Sequence, residues 1–180
     1  MRQFRFPVVA LVAAAICSTA LYAQKTTQVH PGKGGSPHVR SEWVIDGANI
    51  SIEYGRPSLK GRSEATLMPK GEEWRTGADE ATTLKTSKAL MFGSMHVNPG
   101  TYTVYTVPGD TSWQLVISKK TGQWGIPYPK GEDVGRATMT VGKTAAPVEQ
   151  LTINIEDTPK GGTLHIEWGG TRASVPFTVM

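Results

Sequence analysis

Apolar and polar residues alternate along much of this chain, which is the pattern of antiparallel strands with one buried face. Residues 43–52 consist of two such runs joined by Asp-Gly, a strong signal for a two-residue hairpin turn. The register that places Ile45 opposite Ala48 also places Trp43 opposite Ile50. Both strands then turn their apolar side chains to the same side.

The same alternation predicts strands along the rest of the chain, separated by short turns and by one connection of 18 residues, 119–136. A short helix is predicted at 63–68, and no helical pattern of 12 residues occurs. We therefore expect an all-β fold, a single antiparallel β-sandwich or jelly roll of about eight short strands. The further strands are predicted at 82–86, 89–97, 101–107, 113–118, 151–155, 164–168 and 172–179.

The first 23 residues have the pattern of a secretory signal peptide. Arg2 and Arg5 precede an apolar run at 8–16, and cleavage is expected after Ala23 or, as an alternative, after Ala20. We expect a periplasmic or extracellular protein in which residues 24–37 form a Gly-rich, flexible leader and residues 38–180 the β-sandwich domain. The single cysteine lies within the signal, so a mature chain would have no disulfide.

Charge and hydropathy restrict the classes of partner. The formal net charge is +4 with both signs interspersed, and part of it comes from the predicted signal. This charge balance does not favour nucleic acid as the partner. No apolar run approaches the roughly 20 residues that span a bilayer, so no membrane span is expected. The expected partner is a small molecule, carbohydrate or protein at the cell envelope.

The densest group of charged side chains is GEEWRTGADEATT at 71–83. Arginine offers a planar fork of donors that fits carboxylate, phosphate or sulfate, so an anion clamp is one interpretation. An internal network, in which Arg75 pairs with Glu80 or Glu72, is the other. Exposed rings in the 119–136 connection could also stack on a ligand. The candidate binding residues are Arg56, Lys60, Arg62, Trp74, Arg75, Asp79, Glu80, Trp124 and Tyr128.

Motifs for metal or nucleophilic chemistry are missing from the sequence. The four histidines, His30, His38, His96 and His165, have no metal-ligand spacing, so no metal and no cofactor are predicted, and a zinc site would require the fold to bring them together. A calcium site formed by Asp79 and Glu80 with backbone carbonyls is an alternative, although the twelve-residue loop pattern of the EF-hand is absent. His165 is expected to face solvent, and no Gly-x-Ser-x-Gly elbow occurs. A serine–histidine triad would have to be assembled by the fold.

Two segments carry a resemblance to a known family: YGRPSLKGR at 54–62 and EWRTGADEATT at 73–83. PGTY at 99–102 and WG at 124–125 add to it. From about Ser36 to the C-terminus the chain resembles the secreted bacterial proteins grouped as domain of unknown function 2911. That family has no established activity, so the resemblance implies no catalytic residues.

The sequence therefore favours a non-catalytic binding module of the cell envelope, with its site formed by segments 56–62 and 72–80. One alternative is a hydrolase that uses a carboxylate such as Glu80 or Glu72 on envelope carbohydrate or another polar substrate. A second alternative is a structural or assembly role through exposed sheet edges.

Overall fold

The computed structural model describes residues 24–180, and the predicted signal peptide lies outside them. Ten strands and one short 3-10 helix, η1 (Glu64–Thr66), make up the regular structure of this range. The strands are β1 (Lys25–His30), β2 (His38–Ile45), β3 (Ala48–Gly55), β4 (Thr83–Thr86), β5 (Leu90–Phe92), β6 (Met95–Val97), β7 (Gly100–Val107), β8 (Ser112–Ser118), β9 (Asp133–Thr158) and β10 (Gly161–Val179).

All ten strands belong to one antiparallel sheet with the order β1-β2-β3-β4-β7-β8-β9-β10-β5-β6. Within residues 24–180 the sheet is not closed, because β1 and β6 lie at its two ends. The predicted all-β class is confirmed. The predicted hairpin register is also confirmed, since Ile45 pairs with Ala48 and Trp43 with Ile50.

The sheet folds over a single apolar core to which nearly every strand contributes. Tyr54 at the end of β3 reaches across this core, where its hydroxyl accepts a hydrogen bond of 2.9 Å from the backbone N of Ile153 on β9. Burial of Tyr54 raises the pKa of its phenol. Two layers of sheet therefore face each other, as in a sandwich.

Several segments differ from their predictions. Residues 25–30, expected in a flexible leader, form edge strand β1, where Thr26 Oγ1 lies 2.9 Å from Ser41 Oγ of β2. The predicted strand 89–97 is a hairpin that turns at Gly93, whose φ of 60° favours glycine. β9 begins at Asp133, within the predicted connection, and continues through 137–150. Residues 137–141 alternate around the buried Met139, although no strand was predicted there, whereas residues 142–150 include no buried side chain and lack the alternation that predicts a strand.

Among residues 24–180, no helix is long and apolar enough to cross a membrane.

Candidate functional site

Two histidines meet where β1 ends and β2 begins. His30 and His38 are partners in the antiparallel ladder, next to an irregularity in β1 between Gln28 and His30. Their rings are stacked, with centroids 4.2 Å apart and planes inclined by 17°. The side chain of His38 is 3% exposed and that of His30 38%. The pair is therefore accessible from one side.

A carboxylate completes this group. Glu80 Oε2 lies 3.2 Å from Nε2 of His38 and 3.9 Å from Nε2 of His30. His38 Nε2 is 3.0 Å from the carbonyl oxygen of Ala78, which accepts its hydrogen when Nε2 is protonated. Although the Glu80 side chain is 45% exposed, its Oε2 is shielded from solvent and accepts no hydrogen bond within residues 24–180. We call His30, His38 and Glu80 the open cluster.

The backbone of residues 76–80 holds Glu80 in place. Thr76 and Asp79 have positive φ values of 55° and 61°, a region in which Asp is better tolerated than most residues. The Asp79 carboxylate accepts a hydrogen bond of 3.0 Å from Lys33 N, which ties the glycine-rich segment after β1 to this loop. A Cβ at Gly55 would clash with the Ala78 carbonyl and lie 2.7 Å from His38 Nε2. Glycine at 55 therefore permits the approach of Ala78 to His38.

Beside the open cluster, two cations contact the ring of Trp124. The Arg75 guanidinium carbon is 5.1 Å from the ring centroid, and Nζ of Lys33 is 5.4 Å from it. Arg75 Nη1 donates a hydrogen bond of 3.0 Å to the Trp124 carbonyl. Neither cation has a carboxylate within 4.0 Å among residues 24–180. The expected ion pair of Arg75 with Glu80 or Glu72 does not form. We call Lys33, Arg75 and Trp124 the cation–indole cluster.

The basic side chains of segment 56–62 are bonded to other residues of the protein or exposed, although Arg56 N donates to the carbonyl oxygen of Pro37, beside His38. Arg56 donates to the carbonyl oxygen of Leu151 and to Thr152 Oγ1, both at 2.9 Å. Arg62 donates to two carbonyl oxygens of its own turn. The backbone N of Lys60 donates to Glu149 Oε1 at 2.8 Å, and the Lys60 side chain is exposed. None of these hydrogen bonds joins the three residues to Arg75 or Trp124.

Neither Trp74 nor Tyr128 belongs to the cation–indole cluster: Trp74 packs in the core, and Tyr128 is linked through Arg136 to Glu73 of the predicted segment 72–80. Trp74 is a core residue, stacked on Trp168 at 5.9 Å and edge-on to Trp113 at 6.3 Å. It was predicted beside the charged residues because it lies among them in sequence, but its side chain points to the opposite face. Tyr128 donates to Asp133, and burial followed by this carboxylate raises the pKa of its phenol.

A second histidine–carboxylate group lies on β9 and β10. His165 Nδ1 is 2.8 Å from Ser174 Oγ, and its Nε2 is 3.2 Å from Glu156 Oε2. The prediction that His165 faces solvent is wrong, since its side chain is 7% exposed. Gly169 has a φ of 59° at an irregularity in the β9–β10 register. Contact between His165 and Ser174, nine residues apart in one strand, requires β10 to bend between them. We call His165, Ser174 and Glu156 the closed cluster.

The fold thus assembles the serine–histidine pair that the sequence could not show. Both imidazole nitrogens of His165 are engaged, because a neutral ring that donates from Nε2 to Glu156 accepts from the Ser174 hydroxyl at Nδ1. Burial, followed by the charge of Arg172, lowers the pKa of His165. The arrangement satisfies a buried histidine at a strand bend, which is a structural role.

A groove of about 750 Å³ opens on the outer face of β1–β4 and β7. Its charged residues have mixed sign, and Arg40 and Glu53 pair with each other at 2.6 Å. None of the predicted binding residues lines it. The basic residues that line it are Lys25, Arg40 and Lys85, and the acidic ones are Glu42 and Glu53. The two signs therefore nearly balance there, whereas Lys33 and Arg75 at the Trp124 ring are both cationic.

Residues 36–177 match the family model described as Protein of unknown function (DUF2911). The chain belongs to this family. The search of curated proteins and the search of solved structures each gave no match. The match begins after His30 and Lys33, so these two residues lie outside the matched range although they complete the two clusters.

The sequence prediction thus placed Arg75, Asp79, Glu80 and Trp124 in one region, and the structure brings them together. It did not include His30, His38 or Lys33 among the site residues. The sequence feature that could have indicated them is the PGKGGSP segment between the two histidines. A glycine-rich turn can reverse the chain and so bring the residues on either side of it together.

Proposed function

We propose that this family member is an exported envelope protein that binds a small anionic ligand at the cation–indole cluster. One observation supports this assignment above all: two cations share one exposed indole ring, and neither has a carboxylate partner within the described residues. The Trp124 side chain is part of a loop, and the residue is 40% exposed. A carboxylate, phosphate or sulfate group is the chemistry that matches two such cations.

Arg75 has the donors and the electrostatic state that such a ligand requires. Its guanidinium has five N–H donors, of which one is used in the bond to the Trp124 carbonyl. Burial lowers the pKa of Arg75, while the charges of Asp79 and Glu80 act in the opposite direction. A bound anion would restore favourable interactions to a guanidinium that has lost part of its hydration.

Two cations at the ring of Trp124 favour an anion over a neutral sugar. Sugar platforms use an open aromatic face, whereas here Lys33 and Arg75 both lie within 5.4 Å of the ring centroid. Cation–π contact also positions both side chains before a ligand arrives, which reduces the entropic cost of binding. The hydrolase and assembly alternatives have no comparable support among the described contacts.

Thermal unfolding tests the proposal directly. The protein, treated with EDTA, is unfolded in phosphate, sulfate or succinate with ionic strength held constant by sodium chloride. A ligand at about 100 times its dissociation constant stabilises by about 2.7 kcal/mol, which raises the midpoint by several degrees. Arg75→Gln should lose this shift, and Arg62→Gln, which changes an exposed arginine bonded to its own turn, should keep it.

The proposal would be contradicted if no anion shifts the wild type. It would equally be contradicted if Arg75→Gln and Arg62→Gln respond as the wild type does. If Arg75 only holds the Trp124 loop in place, Arg75→Gln should have a lower unfolding midpoint than the wild type in every buffer. The shift produced by the anion would then be the same in both proteins.

A further inference from the structure

We infer that the open cluster is a binding site for a divalent transition-metal ion of the zinc class. The inference is separate from anion binding, because its three donor residues, His30, His38 and Glu80, are not members of the cation–indole cluster. One donor atom from each residue can be chosen so that all three lie within 4.8 Å of one another. Three protein donors would leave a further coordination position for water or another ligand.

The donor types select the class of ion. Two imidazole nitrogens and one carboxylate oxygen suit zinc, cobalt, nickel or copper, whereas calcium and magnesium prefer oxygen donors throughout. The carbonyl oxygen of Ala78, 3.0 Å from His38 Nε2, adds one more donor at the same place. Zinc is the representative ion because it accepts this mixed set with tetrahedral geometry.

The orphaned oxygen of Glu80 is the strongest argument that a cation belongs here. A buried carboxylate oxygen without a hydrogen bond is costly, and native proteins rarely contain one. Glu80 Oε2 is shielded from solvent, yet it faces two ring nitrogens and accepts no hydrogen bond from residues 24–180. The 3.2 Å separation from His38 Nε2 does not satisfy it, since that nitrogen is directed to Ala78. A metal ion bonded to all three side chains would satisfy this oxygen.

Stacking of the two imidazoles points the same way. The rings are 4.2 Å apart and inclined by 17°, and Nε2 of each ring lies within 3.9 Å of the same Glu80 oxygen. Both imidazoles therefore present a nitrogen to one place, as two ligands of a single ion do.

Metal binding would change one contact in the glycine-rich segment. Gly32 N donates to His30 Nδ1 at 3.1 Å, so a neutral His30 carries its hydrogen on Nε2. A zinc ion at Nε2 moves that hydrogen to Nδ1, and a zinc ion at Nδ1 displaces the Gly32 amide; either way this hydrogen bond breaks. Metal-bound histidines usually donate from their second nitrogen. The adjacent residues Gly34 and Gly35 give the segment the freedom to rearrange.

Calorimetric titration of Zn²⁺ into untagged, EDTA-treated and dialysed protein tests the inference. We expect one zinc ion per chain with a dissociation constant in the micromolar range or below, and no comparable binding of Ca²⁺ or Mg²⁺. Glu80→Gln and His30→Ala should each weaken zinc binding at least tenfold. Glu156→Gln is the matched control, because it changes the carboxylate beside the other buried histidine, and it should bind zinc as the wild type does.

Two further readouts separate a metal site from other roles. The Gly32 amide resonance should shift on zinc addition in heteronuclear NMR, whereas a zinc ion bound elsewhere on the surface would leave it unchanged. Arg75→Gln should still bind zinc, so failure of anion binding and failure of metal binding are distinguishable. Absence of zinc binding by the wild type, or equal binding by folded Glu80→Gln, would overturn the inference.

Discussion

Two clusters in this protein contain a histidine beside a carboxylate, and they differ in how their polar atoms are satisfied. In the closed cluster, Nδ1 and Nε2 of His165 lie 2.8 and 3.2 Å from Ser174 and Glu156, and the glutamate is 65% exposed. In the open cluster, Glu80 Oε2 is shielded from solvent and accepts no hydrogen bond in the described chain. The same residue types therefore produce a structural brace in one place and a candidate binding site in the other.

This difference shows that polar atoms without a hydrogen-bond partner identify a candidate site better than the residue types in a cluster do. The closed cluster contains serine, histidine and glutamate, the residue types of a hydrolytic triad, yet its imidazole has both nitrogens engaged. The open cluster has no catalytic pattern in sequence, yet it presents donors to a place where a cation would be stabilised. The arginines differ in the same way, because Arg56 donates to Leu151 and Thr152 of β9, whereas Arg75 makes a single hydrogen bond within residues 24–180, to the Trp124 carbonyl.

Truncation of the closed cluster should have the largest effect on stability. His165→Ala removes two hydrogen bonds and leaves a cavity at the bend of β10, so we expect the free energy of unfolding to fall by about 2 to 4 kcal/mol. Urea denaturation measures the change, and zinc affinity should stay within twofold of wild type. A loss of zinc binding in folded His165→Ala would invalidate the assignment of the two clusters.

Acid should destabilise the protein through the same histidine. Burial lowers the pKa of His165 from 6.5, so an unfolded chain binds a proton in the pH range just below 6.5 where the folded chain does not. Stability should therefore fall as pH falls through this window, and the decline from this residue should end below the lowered pKa. Urea midpoints between pH 8 and 5 measure the slope, which should be smaller in His165→Asn. An identical slope in that variant would assign the acid sensitivity to other groups.

Glu80→Gln should have a smaller effect of opposite sign on stability. The change removes a negative charge from a shielded position and supplies an amide that can donate toward Ala78 or the imidazoles, so metal-free protein should gain about 1 kcal/mol. Urea denaturation in EDTA measures this gain, and Glu156→Gln should show no such increase. A clear loss of stability would mean that the Glu80 carboxylate is satisfied in the metal-free protein.

Arg75→Gln should change stability least. Its guanidinium makes one hydrogen bond and one cation–π contact, both partly exposed, so the loss should be below about 1 kcal/mol. Thermal unfolding in sodium chloride measures it. A much larger loss of stability would show that Arg75 mainly holds the Trp124 loop in place. The cation–indole cluster would then have a structural role, like the closed cluster.

Sequence pattern predicted the fold more completely than the site. Alternation revealed the hairpin at 43–52 because one face of each strand is buried. It did not reveal β1 or residues 142–150 of β9, where no side chain is buried on either face. For the site, the local density of charged residues drew attention to Arg75 and Glu80, which belong to the cation–indole cluster and the open cluster.

The local density of charged residues could not show that Trp74, unlike its neighbours in sequence, packs into the core. It also could not show that the turn between β1 and β2 places His30 beside His38. That juxtaposition depends on strand register, and the irregularity before His30 sets the register locally. Short-range sequence pattern does not specify such irregularities.

The most direct test of this account is a crystal structure of the zinc-soaked protein with anomalous differences measured on both sides of the zinc absorption edge. We predict one anomalous peak, bonded to His30, His38 and Glu80, with the contact between Gly32 N and His30 Nδ1 broken. A zinc peak at His165 and Glu156, or no peak at the open cluster, would contradict the distinction between the two clusters.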